Sequence, residues 1–198
     1  MKKIIGLVLV FCMLFMAPVS AACTYTVVSG DSIWKIACRY KIGISEIISA
    51  NKNLSNPNRI NVGDKIEVPT VDEGVDSYEA EVIRLVNEIR KSYGLGTLTA
   101  NWELSRVARY KSQDMHDKKY FSHTSPTYGS PFDMMKSFGI TYRTAGENIA
   151  MGYRTPQAVV DGWMNSSGHR ANILNASYKQ IGVGYVADGN YWTQMFIG

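Results

Sequence analysis

Cysteine is scarce in this chain: Cys12, Cys23 and Cys38 are the only three in 198 residues. Charge is thin as well, at 19% of residues, and the formal net charge is +4. Discounting Lys2 and Lys3, which fall in a segment expected to be removed, leaves +2. No basic run reaches five residues, so neither composition nor patterning points to a nucleic-acid partner. Beyond the first 21 residues no stretch is long and apolar enough to span a bilayer. Two catalytic signatures are missing too. Nothing reads His-Glu-x-x-His, and no Gly-x-Ser-x-Gly elbow presents a nucleophilic serine. What is present is 45% hydrophobic residues, enough for a packed core, in a length that suits one ordinary domain plus a small one.

Residues 1–21 read as a secretory signal peptide. Lys2 and Lys3 give the positive start, Ile4 to Met16 the apolar run, and Val19-Ser20-Ala21 the small residues of a cleavage site. The mature chain would keep Cys23 and Cys38, and three states stand open for them. They pair as a disulfide, they stay as free thiols, or Cys23 carries a lipid.

Residues 24–69 form a compact unit. Tyr25-Thr26-Val27-Val28 is β-branched and reads as a strand. Asp31 or Ser32 caps a helix with Ile33, Ile36 and Ala37 on one face, and Gly43 stops it. Ser45 caps a second helix, Asn53 to Asn61 is a polar loop, and Lys65 to Val68 is the closing strand. Residues 70–76 are a short acidic linker. A long helix follows over 77–93, opened by a capping-box-like Asp76/Glu79 pair. Asn101 caps another that reaches about Lys118, Ser130-Pro131 opens a short one, and Pro156 starts a fourth through Trp163. Glu147 to Ala150, Ile181 to Val186 and Tyr191 to Ile197 are strands, the last two forming a hairpin around Asp188-Gly189-Asn190. Helices first and strands late make the class α+β.

Three short runs each set a titratable group beside aromatic, Gly or Pro residues. They are Tyr120-Phe-Ser-His-Thr-Ser-Pro126, Ala145-Gly-Glu-Asn-Ile-Ala150 and the stretch Trp163 to Leu174, where a Ser-Ser-Gly break precedes the histidine. They nominate His123, Glu147 and His169. Asn148 and Asn172 are candidates for hydrogen bonding around those residues or for satisfying turns. His116, in a charged run, reads as a solvated helix-face residue. Trp163, Trp192, Tyr191 and Phe196 read as core.

The order Phe-Ser-His-Thr-Ser-Pro, Gly-Glu-Asn-Ile-Ala, Gly-His-Arg-Ala-Asn-Ile-Leu resembles the bacterial branch of the CAP superfamily (cysteine-rich secretory, antigen 5, pathogenesis-related). The resemblance covers residues 77–198. It implies an α-β-α layered domain with a small antiparallel sheet, and it places His123, Glu147 and His169 in one cleft. Two imidazoles and a carboxylate suit a divalent ion such as zinc. Many eukaryotic members carry a second cleft glutamate after the tryptophan of the fourth helix. Here Met164-Asn165-Ser166 stands in its place, and Asp161 is no clear substitute, so paired-carboxylate catalysis is in doubt.

Residues 24–69 resemble the LysM module, through Tyr25-Thr-Val-Val-Ser-Gly-Asp-Ser-Ile-Trp-Lys-Ile-Ala, Asn51, and Asn56-Pro-Asn-Arg-Ile-Asn-Val-Gly-Asp-Lys-Ile66. That family has a βααβ fold and binds N-acetylglucosamine-containing glycans in peptidoglycan or chitin. Its ligand loops correspond to Gly30, Asp31, Ser32 and Ile33, and to Asn56, Pro57, Asn58, Arg59 and Ile60. Together the two resemblances imply a secreted protein held on cell-wall peptidoglycan. Its second cleft either binds an undefined ligand or partner, or hydrolyses wall peptide or glycan with metal assistance. Lipid or sterol binding, shown by distant CAP relatives, is a weaker third reading. A spore-layer location fits the architecture.

Overall fold

The computed structural model describes residues 22–198 apart from Ser55, Asn58 and Asp72. The signal-peptide expectation and one ligand-loop residue, Asn58, therefore lie outside the described residues. Among those described, no helix is long and apolar enough to cross a membrane.

The N-terminal unit runs β1 (Ala22–Thr26), α1 (Ile33–Tyr40), α2 (Ile44–Ala50) and β2 (Lys65–Pro69). The two strands pair antiparallel, with Tyr25 opposite Ile66. Ser32, of the two candidate caps, accepts the Lys35 amide and starts α1. The second cap expectation fails. Gly43 is the N-cap of α2, without a side-chain bond, and Ser45 lies inside the helix. Val27, Ile33, Ile36, Ile47, Ile66 and Val68 form the small core. The alternation in β2 is the reason: Ile66 and Val68 are buried while Lys65 and Glu67 face out. Of the states left open for the two cysteines, the disulfide is not formed: Cys23 and Cys38 are free, half-buried thiols. Cys23 packs into the fringe of that core and lies beside the Tyr40 hydroxyl.

The second unit runs α3 (Glu73–Ser92), β3 (Thr99–Ala100), α4 (Trp102–Asp117), α5 (Pro131–Ser137), β4 (Ala145–Met151), α6 (Pro156–Met164), α7 (Ser167–Ile173), β5 (Gln180–Val186) and β6 (Tyr191–Ile197). The sheet order is β3-β5-β6-β4, antiparallel except for the two-residue β3, which runs parallel to β5. Strand alternation splits the sheet into two faces. Ile181, Val183, Trp192 and Phe196 pack with Val82, Val86, Val160, Trp163 and Ile173 of α3, α6 and α7. Met195 and Ile197 pack with Leu104, Val107, Ala108, Met134 and Met135 of α4 and α5. The result is the expected α-β-α layering. On the α4 side helix and sheet come unusually close, because a Cβ at Gly184 would collide with the backbone of Ala108 and Arg109.

Helix α3 starts four residues before the expected position, so part of the acidic linker is helical. Glu79 is no cap. It is 2% exposed, grips Arg109 through Nε at 2.8 Å, and accepts the Tyr185 amide at 3.0 Å. The capping expectations for Asn101 and Ser130 hold, Ser130 with a full capping box.

Candidate functional site

β4 is an edge strand, and the candidate cleft is built across its free edge. Glu147 pairs with Met195 and so points to the α4 side, where the side chain is 2% exposed. There His123, on the loop between α4 and α5, donates from Nδ1 to Glu147 Oε1 at 2.7 Å. The ring of His123 is 52% exposed, and with Nδ1 spent on the carboxylate its Nε2 takes no part in that bond. Glu147 Oε2 is buried and has no hydrogen-bond partner. Burial pushes the Glu147 carboxyl above its ordinary range, against the opposing pull of His123 and Lys111.

His169 reaches the same edge from the other face. The Ser-Ser-Gly stretch is not a bend before it: Ser166 is the N-cap, and Ser167 and Gly168 begin α7, which carries the histidine. Burial, and then His123, hold the His169 imidazole below its ordinary value, so it is neutral at neutral pH. Side chains of α6, α7 and the connection after α7 bond the β4 carbonyls. Asn172 donates to Glu147 O at 3.1 Å, Trp163 Nε1 to Ile149 O at 3.3 Å, and Tyr178 OH to Ala145 O at 3.1 Å. Asn148 donates to the His169 carbonyl at 3.1 Å and to Gln194 Oε1 at 2.9 Å. Both asparagines therefore do hydrogen-bond around the cleft.

Sequence reasoning missed the charges beneath. Lys111 is fully buried, on the same inward side of α4 as Leu104, Ala108 and Met115. Its Nζ donates to Tyr120 OH at 3.0 Å, to Ser122 O at 2.8 Å and to His123 O at 2.9 Å. One turn on, Asp114 accepts from Tyr120, Ser125 and Thr127. Those bonds outweigh burial and hold Asp114 below its ordinary value. Arg90, 1% exposed, donates to the carbonyls of Gly96, Ile173 and Asn175, and so pins the C-terminal end of α7. A lone Lys or Arg in a helix reads as solvated; only the i, i+3 spacing of Lys111 and Asp114 hinted at a pair.

Other expectations need adjusting. His116 is no solvated bystander. Its Nδ1 lies 2.7 Å from Asp117 and its Nε2 3.0 Å from Asp188, tying α4 to the β5–β6 hairpin. Asp161 accepts from Gln157 at 2.9 Å on an exposed face. Trp163, Trp192 and Phe196 are core, as expected, while Tyr191 is half-buried and edge-on to His116. Among the described residues, no three His, Cys, Asp or Glu side chains are placed to hold a metal ion. The His123, Glu147 and His169 set is thus not a ready-made cage, because the His123 nitrogen facing Glu147 is bonded to it. The chemistry on offer is that of a carboxylate-oriented imidazole beside a second, neutral one.

A separate groove of ≈ 210 Å³ lies on the N-terminal unit. Asp31, Ser32 and Ile33 line it from one predicted loop, and Pro57 and Ile60 from the other. Trp34, Ile44 and Ile48, which were not nominated, complete the lining, and Trp34 is 61% exposed. Gly30, Asn56 and Arg59 shape the loops: Gly30 has a φ of 85°, and the Arg59 amide donates to Asn56 O at 3.0 Å. Asp31 is spent internally, on Tyr25 OH at 2.6 Å, the Val28 amide at 3.0 Å and Arg39 at 3.3 Å.

A βααβ unit with a groove between its loops, followed by an α-β-α domain with a histidine–glutamate cleft, defines a two-module class. The family model described as cysteine-rich secretory protein family (CAP) matches residues 83–196, and the LysM domain matches residues 25–69. The chain belongs to the CAP family and carries a LysM domain. It is 62% identical over 124 residues to uncharacterized protein YkwD of Bacillus subtilis (strain 168), across 63% of this chain and 48% of that one. An extracellular protein containing a SCP domain from Bacillus anthracis str. Ames matches with a TM-score of 0.60 at 32% identity, over 68% of this chain and 46% of that one. The secreted LysM effector ECP6 of Passalora fulva is 49% identical over 45 residues, 23% of this chain and 19% of that one. The chain thus spans about half the length of the first two relatives, and less of the third.

Proposed function

We propose that this is an extracellular, cell-wall-associated protein held on N-acetylglucosamine-containing glycan by its LysM groove, with the CAP cleft presented to a ligand or partner of the wall. The observation that carries the reading is the groove itself. Two loops far apart in sequence meet there, and Asp31, the one charged residue among the described lining residues, has its charge met internally by Tyr25 and Arg39. Apolar and aromatic walls with nearby backbone polar groups suit an uncharged sugar. Extracellular relatives, and the LysM family's affinity for peptidoglycan and chitin, support it. The test is co-sedimentation of the chain from residue 22 onward with insoluble peptidoglycan or chitin. Retention in the pellet is expected, and recovery of a folded protein wholly in the supernatant overturns the reading.

A second reading, hydrolysis of wall material, draws on the His123–Glu147 pair. A buried carboxylate bonded to Nδ1 fixes the ring and leaves Nε2 to take a proton from water or a hydroxyl. Soluble fragments released from peptidoglycan by the parent, and not by His123→Ala, would support it. Pelleting without release leaves binding as the function.

A further inference from the structure

The two modules touch, and the contact turns on one guanidinium. Arg106 of α4 donates from Nε to Glu46 Oε1 at 2.5 Å and from Nη2 to Glu46 Oε2 at 2.9 Å, with a third bond from Nη2 to Ser45 Oγ at 3.1 Å. The ion pair is largely covered, both side chains being 19% exposed. The guanidinium also lies over two rings of the CAP domain, 5.4 Å from the Tyr110 centroid and 5.2 Å from that of Phe138. Gly43, the N-cap of α2, is buried against the same group, since a Cβ there would strike Glu46 and the Arg106 guanidinium. Bidentate geometry, partial burial and stacking separate this pair from ordinary surface ion pairs, which contribute little.

Helix α2 has three uses around its circumference. Ile47 is buried in the LysM core. Ile44 and Ile48, one turn apart, form a wall of the glycan groove. Ser45 and Glu46 face Arg106. On the other partner, Arg106 lies five residues before Lys111, whose ammonium holds the His123 loop. The connection from Pro69 to the start of α3 at Glu73 is short, which keeps the modules near each other but sets no angle.

We propose that α2 and α4 form an intramolecular docking surface, closed by Arg106 on Ser45 and Glu46, that makes the LysM module and the CAP domain one rigid body. The wall-binding groove and the His123–Glu147 cleft then keep a fixed mutual orientation, whereas two modules on a tether would move independently by default. The docking itself does not depend on the glycan reading. Only its use, aiming the cleft at material beside the bound strand, rests on that reading.

The experiment is ¹⁵N relaxation of the chain from residue 22 onward, without glycan. Amides of residues 24–69 and of 77–198 in the parent should report a single rotational correlation time. In Arg106→Ala the LysM amides should tumble about twofold faster or more, while the core amides of Ile36 and Val183 keep their shifts. Glu46→Gln, made on the opposite partner, should give a loss in the same direction. Two correlation times in the parent, or one unchanged time in both variants, overturn the proposal. Neither outcome bears on whether the groove binds glycan, which pelleting decides separately.

Discussion

At the scale of single residues the cleft depends on groups that never touch solvent. Lys111 places a full positive charge in the interior and spends all three of its N–H donors, two of them on the carbonyls of the loop that carries His123. It also lies within electrostatic reach of Glu147 and Asp114, both largely buried. Burial lowers the lysine's affinity for its proton, and those carboxylates restore part of it. Lys111→Met fills similar volume but leaves two carbonyls and the Tyr120 oxygen without their donor. It also strips two buried carboxylates of their countercharge. We expect a loss of roughly 3 kcal/mol from urea unfolding, the range for breaking a buried charged network. We also expect faster amide exchange over 120–125 than elsewhere in the variant. A loss no larger than that of an ordinary surface substitution, with unchanged exchange in that loop, would show that other contacts hold His123.

At the scale of elements, the parts legible in the sequence are those governed by local chemistry. Asn101 and Ser130 cap α4 and α5 because a short polar side chain before a helical run has one obvious use. The β5–β6 hairpin follows from two β-rich runs around Asp-Gly-Asn. His123, Glu147 and His169 were nominated from local sequence, but only the family resemblance placed them together. Illegible were the features set by distant partners. Ser45 looked like a cap because Arg106, 61 residues on, could not be foreseen as its neighbour. Glu79 looked like a cap for the same reason: its partners Arg109 and Tyr185 lie 30 and 106 residues away. That glutamate now joins α3 to α4 and β5, and burial, outweighing Arg109, moves its carboxyl from 4.5 to about 7. The sign follows directly. Below pH 4.5 both folded and unfolded chains hold the proton and the contribution is fully present. As pH rises toward 7 the unfolded chain gives up its proton first, and the contribution is lost. Glu147 shifts in the same direction, and His169, held low by burial, acts oppositely by losing stability as pH falls through its lowered value. The difference between the parent and Glu79→Gln isolates the one group. Relative to that variant, the parent should lose roughly 3 kcal/mol of unfolding free energy between pH 4.5 and 7.5. Parallel profiles would mean that Arg109 keeps Glu79 ionised throughout.

At the scale of the whole molecule, the chain joins a neutral groove to a polar cleft, and the two should answer differently to salt. Among the described residues that line the groove, Asp31 is the only charged one, and its carboxylate is occupied by Tyr25, the Val28 amide and Arg39. Those bonds, Tyr25 first, hold Asp31 below the ordinary carboxylate range, so its charge is constant across neutral pH. The other lining groups are Ser32, Pro57 and the apolar or aromatic side chains of Ile33, Trp34, Ile44, Ile48 and Ile60. Trp34 leaves 61% of its surface open beside them, more than a residue held for packing would. An indole of that kind stacks on the apolar face of a pyranose, and the contact carries no net charge. Retention on insoluble chitin should therefore change less than about twofold between 0.05 and 0.5 M salt, although the Debye length falls severalfold over that range. Binding to the acidic polymers of a wall through lysines and arginines would instead collapse by orders of magnitude, as counterion-driven association does. Trp34→Ala should weaken retention about tenfold while leaving the circular dichroism of the chain unchanged, since the side chain contributes nothing to the core around Ile36, Ile47 and Ile66. Arg106→Ala, which leaves the groove intact, should bind as the parent does. Strong salt dependence, or full retention by Trp34→Ala, would move the attachment from this groove to the charged surface.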